Sequence, residues 1–327
     1  MKNRLLWPLV ALVALLALNL VVTPQFFALR MQDGHLYGGL VDVLKNGAPT
    51  LLIALGMTLV IATRGIDLSV GAVAAIAGAV TCVHIGGSAD AGTAFAGMAL
   101  ALVLCAVLGL WNGFLVAKLG IQPIIATLVL MTAGRGIAML VTEGQIVTVN
   151  NSAYRQVGAG FVVLPTAILI SLLVLGLVAF ATRKTALGML IEAVGVNPQA
   201  SRLAGVRTTT IIWTVYVFAA VCAGIAGLMI SSNVSAADAN NAGLWIEMDA
   251  ILAVVIGGTS LAGGRYSLTG TLLGALIIQT LTTTVYTIGV APEVTLVFKA
   301  VVVIAVCLVQ APKARAAFSF RKVAVPS

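Results

Sequence analysis

The sequence predicts an all-α polytopic membrane protein. Of its 327 residues, 61% are hydrophobic and only 9% are charged, and the mean hydropathy is +1.13. Apolar stretches of about 20 residues recur along the chain, which is the length of a helix that crosses the hydrocarbon core of a bilayer. The 34 glycines suit close contact between helices in lipid.

About ten transmembrane helices are predicted. A charged N-terminus precedes the first apolar run, and no convincing cleavage site follows it, so we expect an uncleaved first helix and not a signal peptide. The second and eighth spans are short, which predicts a broken or partly submerged helix at either place. The ten spans are 6–23, 48–63, 69–86, 92–117, 123–141, 161–182, 210–230, 249–263, 268–288 and 294–310.

The distribution of charge predicts the orientation. With the N-terminus in the cytoplasm, thirteen basic residues lie in inner segments, and only Arg30, Lys45 and Arg155 lie in outer ones. Cytoplasmic loops of membrane proteins carry such an excess of Lys and Arg. Both termini are therefore predicted to be cytoplasmic, in a single transmembrane domain over residues 1–327. The asymmetry also explains the net charge of +8, so we infer no nucleic-acid partner.

A long basic loop, residues 183–210, separates the sixth and seventh spans. Within it, Asn197 is suited to cap a helix, Pro198 is suited to the first helical position, and Gly205 is suited to end the helix. The sequence therefore predicts a short cytoplasmic helix. From the residues alone, this helix either projects toward a soluble partner or lies flat among lipid headgroups, held there by the basic residues of the loop.

Three charged residues near or within the spans have more than one interpretation. Asp67, with Ser69, is suited to cap the helix that follows, whereas a carboxylate at membrane depth would line a translocation path. Arg135 lies about 18 Å into its span at about 1.5 Å per residue. It is predicted to snorkel or pair between helices, the alternative being that it faces the path and binds a polar solute. Lys299 is expected to snorkel.

The outer loop over residues 233–249 carries acids but no base. Asn240 and Asn241 are suited to hydrogen-bond sugar hydroxyls, and Trp245 is suited to stack on a sugar ring. The alternative is a loop of turn-forming residues with a tryptophan at the membrane interface. Both interpretations stay open at the level of sequence.

Several chemistries lack the residues that they need. No G-x-x-x-x-G-K-[ST] motif is present to hold ATP phosphates, and no nucleophile–base grouping predicts catalysis. His35 and His84 stand alone, so no metal site is predicted. The four cysteines all fall in apolar spans and are expected to be small core side chains. We therefore predict no catalytic residue and no cofactor bound by this chain.

The motifs nevertheless resemble one family along nearly the whole chain. The segments are GMTLVIATRGIDLSVGAV at 56–73, WNGFLVAKLGIQPIIATLVLM at 111–131, GRG at 134–136, E-A-V-G-x-N-x-x-A-x-x-x-A-G at 192–205, and ADANNAGLWIEMDAILAVVIGGTSLAGGR at 237–265. Together they are similar to permease subunits of ABC importers for ribose, xylose and galactose, which are related to branched-chain amino-acid permeases. The last segment and EAVGVN look most like galactofuranose-type permeases.

This resemblance implies an ATP-driven importer of a monosaccharide in the inner (cytoplasmic) membrane. The loop would supply a coupling helix that fits an ABC ATP-binding subunit, and that subunit would use the ATP. The other implied partners are a periplasmic or extracellular sugar-binding protein, a second permease copy or a related permease, and membrane lipids. The coupling residues by this match are Glu192, Ala193, Gly195, Asn197, Ala200, Ala204 and Gly205; the candidate path residues are Asp67, Arg135, Asn240, Asn241 and Trp245.

Two positions depart from the family pattern. Arg64 stands where the family usually has glycine, and Glu192 stands where many sugar permeases have arginine. The first departure concerns a tight turn and its charge; the second concerns the choice of ATPase partner. An ion-coupled secondary transporter of a small polar solute is the alternative function. Such a protein would need an acid at the midplane, and Asp67 is predicted to lie near the inner surface instead.

Overall fold

The computed structural model describes residues 2–22, 24–32 and 34–289, together with 294, 296–301 and 304. These residues are predominantly helical. The helices are α1 (Lys2–Val22), α2 (Gly39–Ala62), α3 (Val70–Ile85), α4 (Ala91–Ala117), α5 (Pro123–Val141), α6 (Ser152–Gly158), α7 (Thr166–Lys184), α8 (Leu187–Val196), α9 (Pro198–Leu203), α10 (Thr208–Val234), α11 (Ile246–Ile256) and α12 (Leu268–Thr287).

Short strands lie in the connecting segments. Strand β1 (Arg30–Gln32) pairs antiparallel with β2 (His35–Tyr37), and β3 (Val147–Thr148) pairs antiparallel with β4 (Ala236–Ala237). The second pair joins the segment after α5 to the segment after α10. We call this end of the helix bundle the strand end, and the end that carries α8 and α9 the α9 end.

Within the described residues, seven helices are long and apolar enough to cross a membrane, namely α1, α2, α4, α5, α7, α10 and α12. The prediction of an all-α membrane protein is therefore confirmed. The short α8–α9 unit lies between α7 and α10, where the sequence predicts it. Most of the predicted tenth span, 294–310, lies outside the described residues.

The lengths of three predicted spans can be compared with the helices of the structure. The second was predicted to be short, and this is wrong: α2 has 24 residues, because the helix begins at Gly39 and includes Lys45, which was assigned to an outer loop. Helix α3 has 16 residues and α11 has 11. The eighth span is thus short, as the sequence predicts.

The core forms where α2 and α10 meet their neighbours. Helix α2 is buried without interruption over residues 47–62, and α10 packs against α2, α3 and α4. At Gly227 of α10, an added Cβ would overlap the main chain of Ala74 in α3. Small residues permit this close approach, which in lipid replaces the hydrophobic effect as a source of helix association.

The outward faces of the peripheral helices are apolar. Exposed side chains include Val103 and Val107 of α4, Ile125 and Val129 of α5, and Leu173 of α7. Extended apolar surface of this kind indicates contact with lipid or with a neighbouring subunit. The described cysteines are buried and free, namely Cys82, Cys105 and Cys222, which agrees with a packing role; Cys307 lies outside the described residues.

The segment 238–245 does not form the surface loop that was predicted. Gly243 contacts the main chain of Gly71, the second residue of α3. The carbonyls of Ala239 and Ala242 accept hydrogen bonds from Arg135, midway along α5. The chain therefore re-enters the bundle after β4, and α11 begins at about the depth of the start of α3 and not at the strand end.

Candidate functional site

Helices α8 and α9 form a compact unit at one end of the bundle. Asn197 caps α9, since its side-chain oxygen accepts a hydrogen bond of 3.0 Å from the backbone N–H of Ala200. Pro198 occupies the first helical position, and Gly205 has a φ of +84°. The start and end of the predicted helix are thus confirmed.

The exposed face of this unit includes a residue that the sequence analysis missed. Leu203 is 91% exposed, the highest value among the large hydrophobic side chains of the described residues. Its neighbours Ala200, Ala204 and Gly205 are also exposed, as is Asn197, whereas Glu192 and Ala193 are half-buried. An apolar side chain held outward on a capped helix is a suitable anchor for a partner groove. The signal in the sequence was a leucine among polar residues at the end of α9.

Gly195 occupies a different environment from the other predicted coupling residues. It is buried, and an added Cβ would overlap the carbonyl of Ala62, the last residue of α2. The same carbonyl accepts a hydrogen bond of 2.8 Å from the N–H of Gly264. Gly195 therefore cannot contact a partner subunit directly. Instead it allows α8 to pack against the end of α2 and the α11–α12 connection.

Arg64 joins the same packing site. Its guanidinium Nη2 donates a hydrogen bond of 2.5 Å to the carbonyl of Val196, the last residue of α8. A cation there also interacts favourably with the negative end of the helix dipole. Arg64 has a φ of +67°, which explains why glycine is usual at this position. We call Ala62, Arg64, Gly195, Val196 and Gly264 the junction.

Asp67 forms a local turn and lies outside the cavity described below. One oxygen of its carboxylate accepts hydrogen bonds from the N–H and the hydroxyl of Ser69, at 2.9 and 2.6 Å. Asn112 of α4 then donates to the Ser69 hydroxyl at 2.9 Å. The predicted side-chain cap on α3 is absent at Ser69, the N-cap residue. These contacts support the structural interpretation of Asp67, through this turn and its link to α4.

A cavity of about 410 Å³ lies between α3, α5 and the start of α11. It brings together Arg135 and Trp245, two of the five predicted path residues, and it excludes Asp67, Asn240 and Asn241. Its lining comprises Ala72 of α3, Met131, Thr132, Arg135, Gly136 and Met139 of α5, and Leu244, Trp245 and Glu247.

Arg135 is held by main-chain carbonyls. Its Nη1 donates to Ala239 at 2.9 Å and to Ala242 at 2.6 Å. Arg135 is therefore paired, but with carbonyls of the re-entrant segment and not between helices as predicted. The same side chain borders the cavity, so the interpretation in which it faces a polar solute stays a prediction.

The two asparagines of the re-entrant segment belong to a turn around Asp238. The Asp238 carboxylate accepts hydrogen bonds from the backbone N–H groups of Asn240 and Asn241, at 3.0 and 3.2 Å, and from the Asn241 side chain at 2.8 Å. The bond from the Asn241 side chain is the main reason why the pKa of Asp238 lies below its ordinary value. These contacts support the turn-forming interpretation for both asparagines.

Trp245 and Glu247 form the wall of the cavity at the start of α11. Trp245 is 49% exposed and has a φ of +63°, an uncommon conformation for a bulky residue. Glu247 is only 3% exposed. The sequence analysis noted Glu247 as a loop acid but missed it as a site residue, because it placed that loop at the surface.

An ion pair holds the other face of α11. Lys299 donates to Asp249 at 2.7 and 3.1 Å. The prediction that Lys299 snorkels is therefore wrong, because a partner of opposite charge stands within reach. Across the described residues, no group of three His, Cys, Asp or Glu side chains could hold a metal ion.

Comparison with known proteins decides the family. Residues 39–307 match the family described as branched-chain amino acid transport system / permease component. The chain belongs to this permease family. The match covers every element that lines the cavity or forms the junction, so both sites lie within the family domain.

Three relatives are similar to this permease over nearly their full length. It is 51% identical over 324 residues to the galactofuranose transporter permease protein YtfT of Escherichia coli (strain K12), covering 95% of this chain and 92% of the relative. It is 41% identical to the fructose import permease protein FruF of Bifidobacterium longum (strain NCC 2705), with coverages of 96% and 89%. It is 37% identical to the ribose import permease protein RbsC of E. coli (strain K12), with 93% of each chain covered. No solved structure matches the permease.

Proposed function

We propose that this chain is the membrane-spanning subunit of an ATP-driven ABC importer, and that it moves a monosaccharide across the inner membrane without changing it. The three relatives are named for galactofuranose, fructose and ribose, which supports a sugar as the substrate. Galactofuranose is the first candidate because that relative has the highest identity of the three. A separate subunit hydrolyses the ATP, since this sequence has no phosphate-binding loop.

The observation that carries the proposal is the exposed α8–α9 unit. Leu203 projects from a six-residue helix that is capped at its start by Asn197. We assign as the coupling surface Leu203 together with Glu192, Ala193, Asn197, Ala200, Ala204 and Gly205. An amphipathic helix that lays apolar anchors in a groove is a common mode of recognition, and the ATP-binding subunit would supply the groove.

The proposed orientation places the α9 end in the cytoplasm. The excess of basic residues in the segments at that end supports this. The strand end then faces outward and receives the sugar-binding protein. A second permease, either a copy of this chain or a relative, completes the path, and both termini are cytoplasmic.

The junction supplies a route from the coupling surface to the cavity. Movement of α8 acts on α2 through Gly195 and Ala62, and on the α11–α12 connection through Gly264. Helix α11 carries Glu247 at its other end, in the cavity wall. ATP-driven displacement of α8 and α9 would therefore move one wall of the cavity.

The test reconstitutes the permease with its ATP-binding subunit and binding protein in vesicles. We expect wild-type uptake to require ATP and to survive collapse of the ion gradients. Leu203→Glu should abolish assembly with the ATP-binding subunit and reduce uptake at least tenfold, roughly the loss of one interface anchor, because a charge replaces the apolar anchor.

Leu119→Glu is the matched control. Leu119 is also exposed, at 56%, in the connection between α4 and α5, and it lies outside the coupling surface. Normal assembly and uptake in Leu203→Glu would contradict the coupling role. Uptake that needs an ion gradient and continues without ATP would instead establish secondary transport.

A further inference from the structure

The cavity between α3, α5 and α11 combines a ring-stacking surface with hydrogen-bonding groups. Trp245 offers an indole face, and Thr132 and Glu247 offer oxygen atoms on the same lining. Sites for small molecules are commonly apolar clefts with a few convergent polar groups, about 300–1,000 Å³ in volume. The volume of about 410 Å³ lies within that range.

Glu247 is the most informative residue of the lining. It is 3% exposed, and among the described residues its carboxylate has no ion-pair partner within 4.0 Å, the ion pair found there being Lys299–Asp249. Burial of a carboxylate is costly unless it is paired or hydrogen-bonded. The carboxylate lies against Gly71 at the start of α3, where the positive end of the helix dipole favours it, and an acidic side chain at this depth is a candidate functional position.

Arg135, the charged residue beside Glu247 on the cavity lining, is held by main-chain carbonyls. Arg135 uses Nη1 for the carbonyls of Ala239 and Ala242, so it fixes the re-entrant segment against α5. Its positive charge lies on the same cavity lining as Glu247. The cavity thus presents a carboxylate as an acceptor while the summed charge of these two residues is zero, which suits a neutral solute with hydroxyl groups.

The backbone at Trp245 supports a role for its side chain. A tryptophan at a φ of +63° is held in a strained conformation, and such residues cluster at ligand sites. The side chain is 49% exposed although the residue lies at the start of α11 inside the bundle. The apolar ring of Trp245 therefore borders the cavity and is partly exposed there.

We propose that this cavity is the site inside the membrane where the sugar is held during transport, with Trp245 stacking on the ring and Glu247 and Thr132 accepting hydrogen bonds from its hydroxyls. Glu247 is the specificity-determining residue, because it requires a hydroxyl donor at one position of the sugar. This inference rests on the proposed function of sugar import.

The first experiment measures protection of the cavity by sugar. Thr132→Cys is introduced into the complex after the native cysteines are replaced by alanine, and a hydrophilic thiol reagent is applied with and without galactose, fructose or ribose. We expect at least one sugar to slow modification several-fold. Ser152→Cys at the start of α6 is the control, because Ser152 is exposed and lies outside the cavity; its modification should not change.

The second experiment compares the uptake rates of variants of the cavity lining with those of matched variants outside it. Glu247→Gln and Trp245→Ala should each lower the maximal uptake rate about tenfold, the effect of one hydrogen bond to a charged group or of a lost stacking contact. Trp245→Phe should retain most of the activity. Glu143→Gln and Trp111→Phe are controls for loss of an acid and of an indole, since both residues are exposed outside the cavity.

A panel of monodeoxy sugars tests the assignment of Glu247. The wild type should reject one member of the panel, because its buried carboxylate would be left without a donor. Glu247→Ala should transport that member and the parent sugar at equal rates. Loss of sugar protection at Thr132→Cys in the Glu247→Gln complex would support the same assignment.

The outcomes distinguish the two proposals. If the wild type imports sugar, but sugar gives no protection at Thr132→Cys and both Glu247→Gln and Trp245→Ala transport at the wild-type rate, the cavity assignment is overturned and the proposed function stands. If the wild-type complex shows no ATP-dependent uptake of any of the three sugars, the proposed function itself fails.

Discussion

The Arg64 guanidinium donates a hydrogen bond of 2.5 Å to the carbonyl of Val196, and these residues are 132 positions apart in the chain. The contact joins the turn after α2 to the last residue of α8. It lies beside the packing of Gly195 on Ala62, so α8 is attached to the core at two neighbouring points. We expect this attachment to transmit force between the ATP-binding subunit and the membrane helices.

Substitutions of Arg64 should separate coupling from stability. Arg64→Ala removes the hydrogen bond and keeps the strained φ. Arg64→Gly removes the bond and also relieves the backbone strain, which costs a non-glycine residue about 1–2 kcal/mol. We expect both variants to consume more ATP per sugar imported, and Arg64→Ala alone to melt at a clearly lower temperature. Uptake and ATPase rates in vesicles, with thermal melting in detergent, measure the two effects. Unchanged coupling in both variants would show that the Arg64–Val196 bond transmits no force.

Gly195 should tolerate no side chain. Gly195→Ala places a methyl group against the carbonyl of Ala62, so α8 must move away from the end of α2. We expect the free energy of unfolding to fall by about 3 kcal/mol or more, within the range for severe steric changes in a core. Little of the complex should assemble. Gly176→Ala in α7 is the matched control, because no atom lies within 4 Å of its added Cβ and alanine favours a helix. A stable, active Gly195→Ala permease would contradict the junction.

Sequence patterns predicted the elements that depend on local chemistry. The Asn197–Pro198 start and the Gly205 end of α9 were predictable, because a cap needs particular residues at fixed spacing. The membrane class was predictable from the long apolar runs. The start of α2 was missed, since Asp42 and Lys45 interrupt the hydropathy of a helix whose length is set by packing.

The candidate site was predicted only in part, for a physical reason. The re-entry of residues 238–245 depends on Gly243 meeting Gly71 and on Arg135 meeting carbonyls of a distant segment. Neither contact has a local signature. Glu247 was therefore assigned to a surface loop, and Leu203 was passed over because its exposure depends on the placement of α9.

The Asp249–Lys299 pair should stabilise the packing of α11. Its side chains are only 22% and 12% exposed, so removal of one partner leaves a charge with little access to water. We expect Asp249→Asn to lower the free energy of unfolding by about 3 kcal/mol. The combined exchange, Asp249→Lys with Lys299→Asp, should recover part of that stability. Thermal melting of the three proteins is the measurement. Equal melting of Asp249→Asn and the wild type would show that the pair contributes nothing to stability.

The turn around Asp238 should become less stable at acidic pH. The folded state lowers the pKa of this carboxyl, so the charged form is the one that the turn stabilises. That stabilisation is complete above the ordinary aspartate pKa of about 3.9 and is lost as the pH falls through the lowered value. Trp245 fluorescence, in a chain whose other tryptophans are phenylalanine, should therefore change at acidic pH.

Asp238→Asn should reduce this pH response, because asparagine keeps an acceptor oxygen and does not titrate. Asp90→Asn is a suitable control, since Asp90 caps α4 through Thr93 and lies away from Trp245. A pH response of equal size in Asp238→Asn would exclude Asp238 as its source.

The shortness of α11 has a consequence for how the permease stays closed. Its 11 residues extend about 16 Å at about 1.5 Å per residue, whereas the hydrocarbon core is about 30 Å thick. The part of the cavity wall that this helix provides is therefore about half as deep as the lipid around it. On the proposed function, α11 would close the path over only about three helical turns. A small displacement of this one short helix would then be enough to open the path to a sugar.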